Sequence, residues 1–262
     1  MTPFLVDSHC HLDRLDLTPF DGQLENALQA ASEQGVGHML CVCIDLEHFE
    51  DVLQAARQHT NVSASVGVHP NETEGKEPTV DELLELAKDD QVVAIGETGL
   101  DYFRSEGDLE WQRDRFRTHI AAAKQTGKPL IIHMRDAAED TLQILKEEKA
   151  DEVGGVMHCF TENRDVAKAA LDLNFMISFS GIVTFNSAKE LKEVAKMVPL
   201  DCMLVETDSP YLAPVPYRGK SNQPAYVRKV AEHIAELRKT SLEEIARATT
   251  QNYFSLFGEG RS

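Results

Sequence analysis

The sequence lacks any uninterrupted apolar run close to the roughly 18 residues that a membrane-spanning helix needs. It also lacks the basic start and long apolar core of a secretion signal, because Asp7 and His9 interrupt the first apolar run. We therefore expect a cytoplasmic protein. The chain has 262 residues, which is enough for one large domain or two small ones.

Cysteine is scarce, and its spacing does not mark a metal ribbon or a redox motif. The five cysteines are Cys10, Cys41, Cys43, Cys159 and Cys202, and none belongs to a C-x-x-C pair. Buried reduced thiols explain this pattern best. Cys10 and Cys159 each lie next to a histidine, but neighbours on a strand face opposite ways, so we expect no direct role for either.

Positive charge is also in short supply. The chain has 26 Lys and Arg against 44 Asp and Glu, which gives a formal net charge of -18 at pH 7. Such a field repels a phosphate backbone at long range and disfavours the wrapping of a long duplex. A short or single-stranded end could still enter a site whose own cations reverse the sign locally.

What the chain does contain is a repeated unit, in which a short apolar run, a polar turn and an amphipathic helical stretch follow one another. The apolar runs predict eight strands, at residues 4–7, 39–43, 63–68, 92–96, 129–132, 155–157, 175–179 and 203–206. The amphipathic stretches predict helices at residues 24–34, 48–58, 80–88, 109–126, 141–149, 164–171, 187–197, 225–237 and 242–256. Gly35, Gly127 and Asn174 are expected to be left-handed helix caps, and Ser241 with Glu244 forms a capping-box pattern.

Eight such units predict an α/β fold, a single (β/α)8 TIM-barrel domain over residues 1–262. A doubly wound open sheet is the competing architecture. It is disfavoured because no G-x-G-x-x-G motif follows any of the predicted strands.

Polar side chains recur where the predicted strands end, which is where a barrel places its active site. Five of the ten histidines occupy such positions, namely His9, His11, His69, His133 and His158. Glu97 and Asp208 follow the fourth and the eighth strand. The other histidines are interpreted as surface or packing residues, and they are His38, His48, His59, His119 and His233.

The number of candidate ligands predicts two metal ions. A catalytic zinc takes three protein ligands and a water, whereas the strand ends offer His9, His11, Glu97, His133, His158 and Asp208. A carboxylate can bridge two cations, and Glu97 is the expected bridge. We assign His9, His11, Glu97 and Asp208 to the first cation and Glu97, His133 and His158 to the second. Four imidazoles favour Zn or Mn.

Acidic residues lie two positions before two of these ligands. Asp7 and Glu206 are expected to orient an imidazole or a carboxylate, or to be buried acids held by hydrogen bonds.

Cationic and neutral side chains near the strand ends suggest an anionic substrate. Arg135 can bind a phosphate oxygen or form an ion pair with Asp136 or Asp101. His69 contacts substrate, holds a water or is a structural residue before Pro70. The loop after the last strand carries Arg218, Lys220 and Asn222, either as a local basic patch or as a solvated loop.

Six motifs carry a resemblance to a known family. They are D-S-H-C-H at 7–11, G-V-H-P at 67–70, G-E-T-G-L-D at 96–101, H-M-R at 133–135, H-C-F at 158–160 and E-T-D-S-P-Y-L at 206–212. In this order they resemble the TatD family of metal-dependent hydrolases, closest to its YcfH-type branch. The resemblance implies an amidohydrolase-like barrel with two divalent cations, Mg included. For the better-studied members it also implies a deoxyribonuclease that often trims from the 3′ end.

These observations lead to the hypothesis of a hydrolase that cuts phosphodiesters at DNA ends with a hydroxide activated by two metals. Glu97 and Asp208 are the expected catalytic residues, and Asp208 moves the proton. The expected substrate contacts come from His69, Arg135, Arg218 and Lys220. The expected partner is a DNA end or a small phosphoester, with no membrane and no obligate protein partner.

Two alternatives remain open. The same centre could hydrolyse an amide, a lactone or an ester of a small molecule. A protein with purely structural metals is disfavoured, because structural sites use closed sets of four ligands.

Overall fold

Eight parallel strands follow one another in the order of the sequence, each paired with the next. The computed structural model describes residues 4–258. Within that range the strands are β1 (Leu5–Cys10), β2 (Val36–Cys41), β3 (Val62–Val66), β4 (Val92–Asp101), β5 (Leu130–Arg135), β6 (Gly155–Met157), β7 (Phe175–Phe179) and β8 (Met203–Val205). Each of the eight predicted strands is therefore found.

The two ends of the chain's sheet meet and close it into a nearly continuous barrel. The amide of Asp208 donates to the carbonyl of His9 at 2.9 Å, and the amide of His11 donates to the carbonyl of Ser209 at 2.8 Å. The Ser8 hydroxyl adds a bond to the carbonyl of Val205 at 3.0 Å. These contacts confirm the predicted TIM barrel and exclude the doubly wound open sheet, whose edge strands do not meet.

Helices connect the strands on the outside of the barrel. They are α1 (Leu24–Glu33), α2 (Phe49–Gln58), α3 (Val80–Leu86), α4 (Glu110–Thr126), α5 (Ala138–Glu147), α6 (Arg164–Asp172), α7 (Lys189–Met197), α8 (Val227–Arg238) and α9 (Leu242–Phe257). Most of the predicted strand and helix bounds lie within two residues of the observed ones. The largest difference is at β4, which continues five residues beyond the predicted end at Gly96.

The extension of β4 depends on its neighbour rather than on its own sequence. The ladder between β4 and β5 is irregular between Ile95 and Thr98, where the Gly96–Glu97 peptide bond is cis. It then resumes with Gly99 opposite His133 and Asp101 opposite Arg135. The sequence predicted the end of the strand at Gly96, because residues 97–101 contain one large apolar side chain, that of Leu100, and do not continue the apolar run.

Buried side chains form a layer on each side of the strands. The larger layer packs the strands against the helices. The smaller one gathers the second residue of several strands, namely Val6, Val93, Ile131, Val156 and Leu204. Side chains in this alternate register fill the interior of a barrel. Tyr253 and Phe257 of α9 join them at the strand starts, so α9 covers the barrel end opposite to the strand ends.

Helix ends follow the expected chemistry with one exception. Gly35, Gly127 and Asn174 all have positive φ, which confirms the predicted left-handed caps. The Ser241 side chain accepts from the amide of Glu244 at 3.1 Å, but the Glu244 carboxylate binds the hydroxyl of Thr240. The capping box predicted at α9 is therefore only half formed.

The five thiols are free, as expected for reduced cysteines. Cys10, Cys41 and Cys43 are buried, whereas Cys159 and Cys202, just after β6 and just before β8, are half-buried. Within residues 4–258, no helix has both the length and the apolar character that a membrane span requires. The cytoplasmic location stays a prediction.

The crowding between β4 and β5 can be tested with alanine. A Cβ atom at Gly99, where φ is 133°, would lie 2.0 Å from the carbonyl oxygen of His133. We expect Gly99→Ala to lower the free energy of unfolding by about 3 kcal/mol, because strain and overlap add. Gly127→Ala is the control, since its Cβ would meet nothing within 4 Å. It should cost only about 1 kcal/mol. Equal losses in urea unfolding would contradict the crowding.

Candidate metal centre

The strand ends open into a cleft of about 590 Å³. Five of the six predicted ligands, all except His9, line it, and His9 lies buried beneath. The other lining residues are Ile44, His69, Asn71, Glu72, Asp101, Arg104, Met134, Arg135, Cys159, Thr161, Ile182, Tyr211 and Leu212. The five histidines interpreted as surface or packing residues are not among them.

One group of donor atoms belongs to β1 and to the turn after β8. Nε2 of His9 lies 3.7 Å, and Nε2 of His11 3.4 Å, from Oδ1 of Asp208. These separations are long for hydrogen bonds. Ligand atoms at about 2.0–2.2 Å from a tetrahedral ion lie about 3.3–3.6 Å apart. The spacing of this group therefore suits ligands that share one cation.

His9 supplies the clearest indication that the group suits a cation. Among residues 4–258, neither of its buried ring nitrogens has a hydrogen-bond partner. Burial, and then repulsion from His158, lowers the pKa of His9, which keeps the ring neutral. A neutral imidazole is the form that binds metal, and an unpartnered buried one beside carboxylates fits a ligand.

Glu97 lies between two groups of donors. Its Oε2 atom is 3.4 Å from Nε2 of His9. Its Oε1 atom is 3.1 Å from Nε2 of His158 and 3.0 Å from Nδ1 of His133. The two oxygens of one carboxylate thus face different histidines, which is the arrangement that a bridging ligand requires.

His69 lies closer to this centre than the sequence indicated. Its Nε2 atom is 3.4 Å from Oε1 of Glu97 and 3.2 Å from Nδ1 of His133. Among residues 4–258, three sets of side chains each bring their potential ligand atoms within 4.8 Å of one another. They are His9, His11 and Asp208; His69, Glu97 and His133; and His9, His158 and Glu206. The sequence assigned His69 to substrate or to the loop and did not count it among the ligands.

Hydrogen bonds on the far side of two rings fix their orientation. Nδ1 of His158 lies 3.0 Å from Oε1 of Glu206, and Nδ1 of His11 lies 3.0 Å from the carbonyl oxygen of Val42. Because both partners can only accept, each Nδ1 carries a proton, and each Nε2 is the nitrogen that a cation at the centre would bind. Glu206 therefore orients an imidazole, as one of its two expected roles.

Asp7 has the other expected role, that of a buried acid held by hydrogen bonds. Its carboxylate accepts from the amide of Thr207 at 2.8 Å and lies 2.6 Å from the Thr207 hydroxyl. Burial raises the pKa of Asp7 to about 8, against the effect of these bonds. The contact ties β1 to the end of β8, one residue before Asp208.

The charges of the centre depend on one another. Burial acts to raise the pKa of Glu97, but the charges of His158 and His69 outweigh it and hold that pKa well below its usual value. Burial acts to lower the pKa of His158, but Glu97 and Glu206 raise it well above its usual value. The buried carboxylates therefore need positive charge beside them, which a bound cation would also supply.

The residues expected to contact substrate are split between two places. Arg135 lines the cleft, with its guanidinium 4.3 Å from the ring centre of Phe103. Arg218 and Lys220 are exposed outside the lining, and Arg218 lies over Phe185 at 4.1 Å. Their contact with substrate stays a prediction.

The loop after β8 also differs from a uniform basic patch. Asn222 is buried, and its amide donates to the carbonyl oxygens of Thr207 and Tyr211 at 2.8 and 2.6 Å. It therefore holds the loop against the end of β8 and is not part of a charged surface.

Sequence reasoning missed several residues of the cleft. Asn71, Arg104 and Tyr211 all line it. Each follows a recognised strand-end residue by two or three positions, and this short distance is the signal that could have found them.

Comparison with known proteins agrees with this geometry. The family described as TatD related DNase matches residues 6–258. The chain belongs to the TatD family. It is 49% identical over 255 residues to the metal-dependent hydrolase YcfH of Escherichia coli K12. This match covers 97% of this chain and 96% of the relative. The metal-dependent hydrolase YabD of Bacillus subtilis is 42% identical over 254 residues and covers 97% and 98%.

Solved structures show the same likeness. The crystal structure of YjjV, a TatD homologue from Escherichia coli, matches with a TM-score of 0.88 and 30% identity, over 98% of this chain and 99% of that one. A TatD family hydrolase from Entamoeba histolytica matches with a TM-score of 0.84 and 25% identity, over 98% and 99%. The chain is thus a metal-dependent hydrolase of the TatD family with plausible metal-binding residues.

The role of Glu206 can be tested by metal binding. Its Oε1 atom accepts from the His158 ring and from the amide of Cys159 at 2.7 Å. Glu206→Ala leaves both donors without an acceptor, so we expect cation affinity to fall by about 10–100-fold in calorimetric titration. Glu206→Gln keeps an oxygen in place and should retain most of the affinity. Unchanged binding by the alanine variant would show that the ring needs no such support.

Proposed function

We propose that the protein is a phosphodiesterase, a deoxyribonuclease that acts on DNA ends with two divalent cations, and that residues 1–262 work as one such domain. The observation that carries the proposal is the position of Glu97, whose two oxygens face separate groups of histidines at the floor of the cleft. The name of the matched family, TatD related DNase, supports the choice of substrate.

The cation assignment follows the donor groups. His9, His11 and Asp208 with one oxygen of Glu97 would hold the first cation, and His133 and His158 with the other oxygen would hold the second. His69 lies within reach of the second group. When bound, the cations would supply Lewis-acid stabilisation of charge on the phosphoryl oxygens and lower the pKa of an attacking water toward neutrality. Imidazole-rich groups favour Zn or Mn, and Mg is the third candidate.

Asp208 is the residue placed to move a proton. Its side chain is 14% exposed and lines the cleft, whereas the Glu97 side chain is 3% exposed. Burial acts to raise the pKa of Asp208, but His11 and the neighbouring imidazoles lower it overall. An ionised carboxylate at the cleft surface can accept the proton of the attacking water and pass it to the leaving oxygen.

The walls of the cleft provide the charge that an anionic substrate needs. Arg104 and Arg135 line it, although the whole chain carries a net charge of -18. Arginine can grip phosphate oxygens through two parallel N–H bonds. The surrounding negative field disfavours a long duplex, so a DNA end or a small phosphoester fits better.

The proposal is tested by restoring cations to chelator-treated protein. We expect Zn, Mn or Mg to restore cleavage of 3′-ended single-stranded DNA and of a simple phosphodiester, because the chemistry needs charge that the side chains alone do not supply. Nucleotide release and chromogenic product are the measurements.

A panel of amide, lactone and ester substrates distinguishes the other reaction that the same centre can perform. Cation-dependent cleavage of one of these, without cleavage of either phosphodiester, would replace the proposal by the small-molecule alternative.

The bridging role of Glu97 gives a second test. Glu97→Ala should abolish activity and most bound metal, because both donor groups lose a shared carboxylate. Glu72→Ala is the matched control, since Glu72 lines the same cleft but is absent from the three ligand groups. The measurements are turnover and metal content by atomic spectroscopy. An alanine variant at Glu97 that keeps full activity and two cations per chain would refute the bridge.

A further inference from the structure

Asp101, at the end of β4, belongs to none of the ligand groups, yet it touches the centre. The residue is 1% exposed. Its Oδ2 atom lies 3.0 Å from Nε2 of His133 and accepts from the side-chain amide of Asn71 at 2.9 Å. His133 is therefore held between two carboxylates, because its Nδ1 atom faces Glu97 at 3.0 Å.

The other oxygen of Asp101 organises the turn that follows β4. Oδ1 accepts from the backbone amides of Phe103 at 3.1 Å and of Arg104 at 2.9 Å. The turn thus folds back onto the same carboxylate whose second oxygen faces His133.

This turn forms part of the cationic wall of the cleft, which we define as Phe103, Arg104 and Arg135. Arg104 lines the cleft. Phe103 is 60% exposed, and the guanidinium of Arg135 lies over its ring at 4.3 Å. The face of this ring gives the flexible guanidinium of Arg135 a fixed place.

We propose that Asp101 is a positioning residue that couples the metal ligand His133 to the cationic wall. The inference rests on the proposed function, in which His133 holds a cation and the wall meets an anion. Because a carboxylate can only accept, Asp101 keeps a proton on Nε2 of His133, and Nδ1, which faces Glu97, is the nitrogen that would become the ligand atom when a cation takes the place of its proton. Through its other oxygen it fixes the turn that places Arg104 and supports Arg135.

The carboxylate can be changed without loosening the strand end. Gln112 of α4 holds the backbone of Asp101, by accepting from its amide at 3.0 Å and donating to its carbonyl at 3.3 Å. Asp101→Asn also keeps one oxygen for the two turn amides. It replaces the other by an NH₂ group, which cannot accept from His133 or Asn71.

The first test is calorimetric titration of Mn²⁺ into chelator-treated protein. We expect Asp101→Asn to lower the affinity for one of the two cations by about 10–100-fold, because His133 loses the carboxylate that fixes the position of its proton. Asp101→Glu, which keeps a carboxylate, should recover part of that loss. Phe103→Ala should bind as the unchanged protein does. Unchanged binding by Asp101→Asn would overturn the proposal. The titration needs no substrate, so its result is independent of whether a phosphodiester is cleaved.

The second test separates kcat from KM on the cleaved substrate. Phe103→Ala should raise KM with little change in kcat, because only the support of Arg135 is lost, whereas Asp101→Ala, which removes both oxygens and releases the turn as well as His133, should impair both constants. Asp101→Asn keeps the oxygen that holds the turn, so it should lower kcat with a smaller change in KM. The matched control is Phe4→Ala, which removes an exposed phenylalanine ring just before β1, away from the cleft. It should change neither constant. An unaltered KM for Asp101→Ala, or equal losses for both phenylalanine variants, would contradict the coupling.

Discussion

A carboxylate taken out of water needs positive charge or donors around it, and the site is organised by this requirement at Glu97. The residue is 2% exposed and lies within 3.4 Å of ring nitrogens from four histidines. In the protein alone, the charge on His158 balances part of it. Metal cations bound between the same groups would balance the charge of Glu97 instead. The arrangement that keeps Glu97 ionised is therefore also one that suits metal binding.

The barrel explains how side chains two hundred positions apart reach one carboxylate. Parallel strands direct all their ends to one mouth, and the bond between the Asp208 amide and the His9 carbonyl brings the first and last strands together. Asp7 strengthens this closure through two contacts with Thr207. Because Asp208 directly follows Thr207, the position of this candidate ligand depends on the contacts that join β1 to the end of β8 and close the barrel. Stability and site geometry are therefore linked at this place.

Some features were predictable from the sequence, and others depend on contacts that a sequence does not display. The strands and helices follow from alternating and helical spacing, and the six candidate ligands follow from the rule that strand ends face the site. The extension of β4 was missed because residues 97–101 contain only one large apolar side chain, that of Leu100, and are held in the sheet by pairing with β5. His69 was not counted as a ligand, because only the fold shows its distance from Glu97. Arg104 and Arg218 are both loop cations in the sequence, but only Arg104 lines the cleft.

The position of Arg104 in the cleft bears on how an acidic protein can bind an anion. A net charge of -18 acts over the whole surface, but screening limits it to about 8–10 Å at physiological salt. Inside the cleft, near charges therefore dominate, and Arg104 and Arg135 need fixed positions to be effective. A free arginine in this field would pair with one of the many surface acids. The face of Phe103 and the folded turn at Asp101 hold these two guanidinium groups at the cleft, so the positive charge that an anion would meet there depends on rigid placement and not on the number of basic residues.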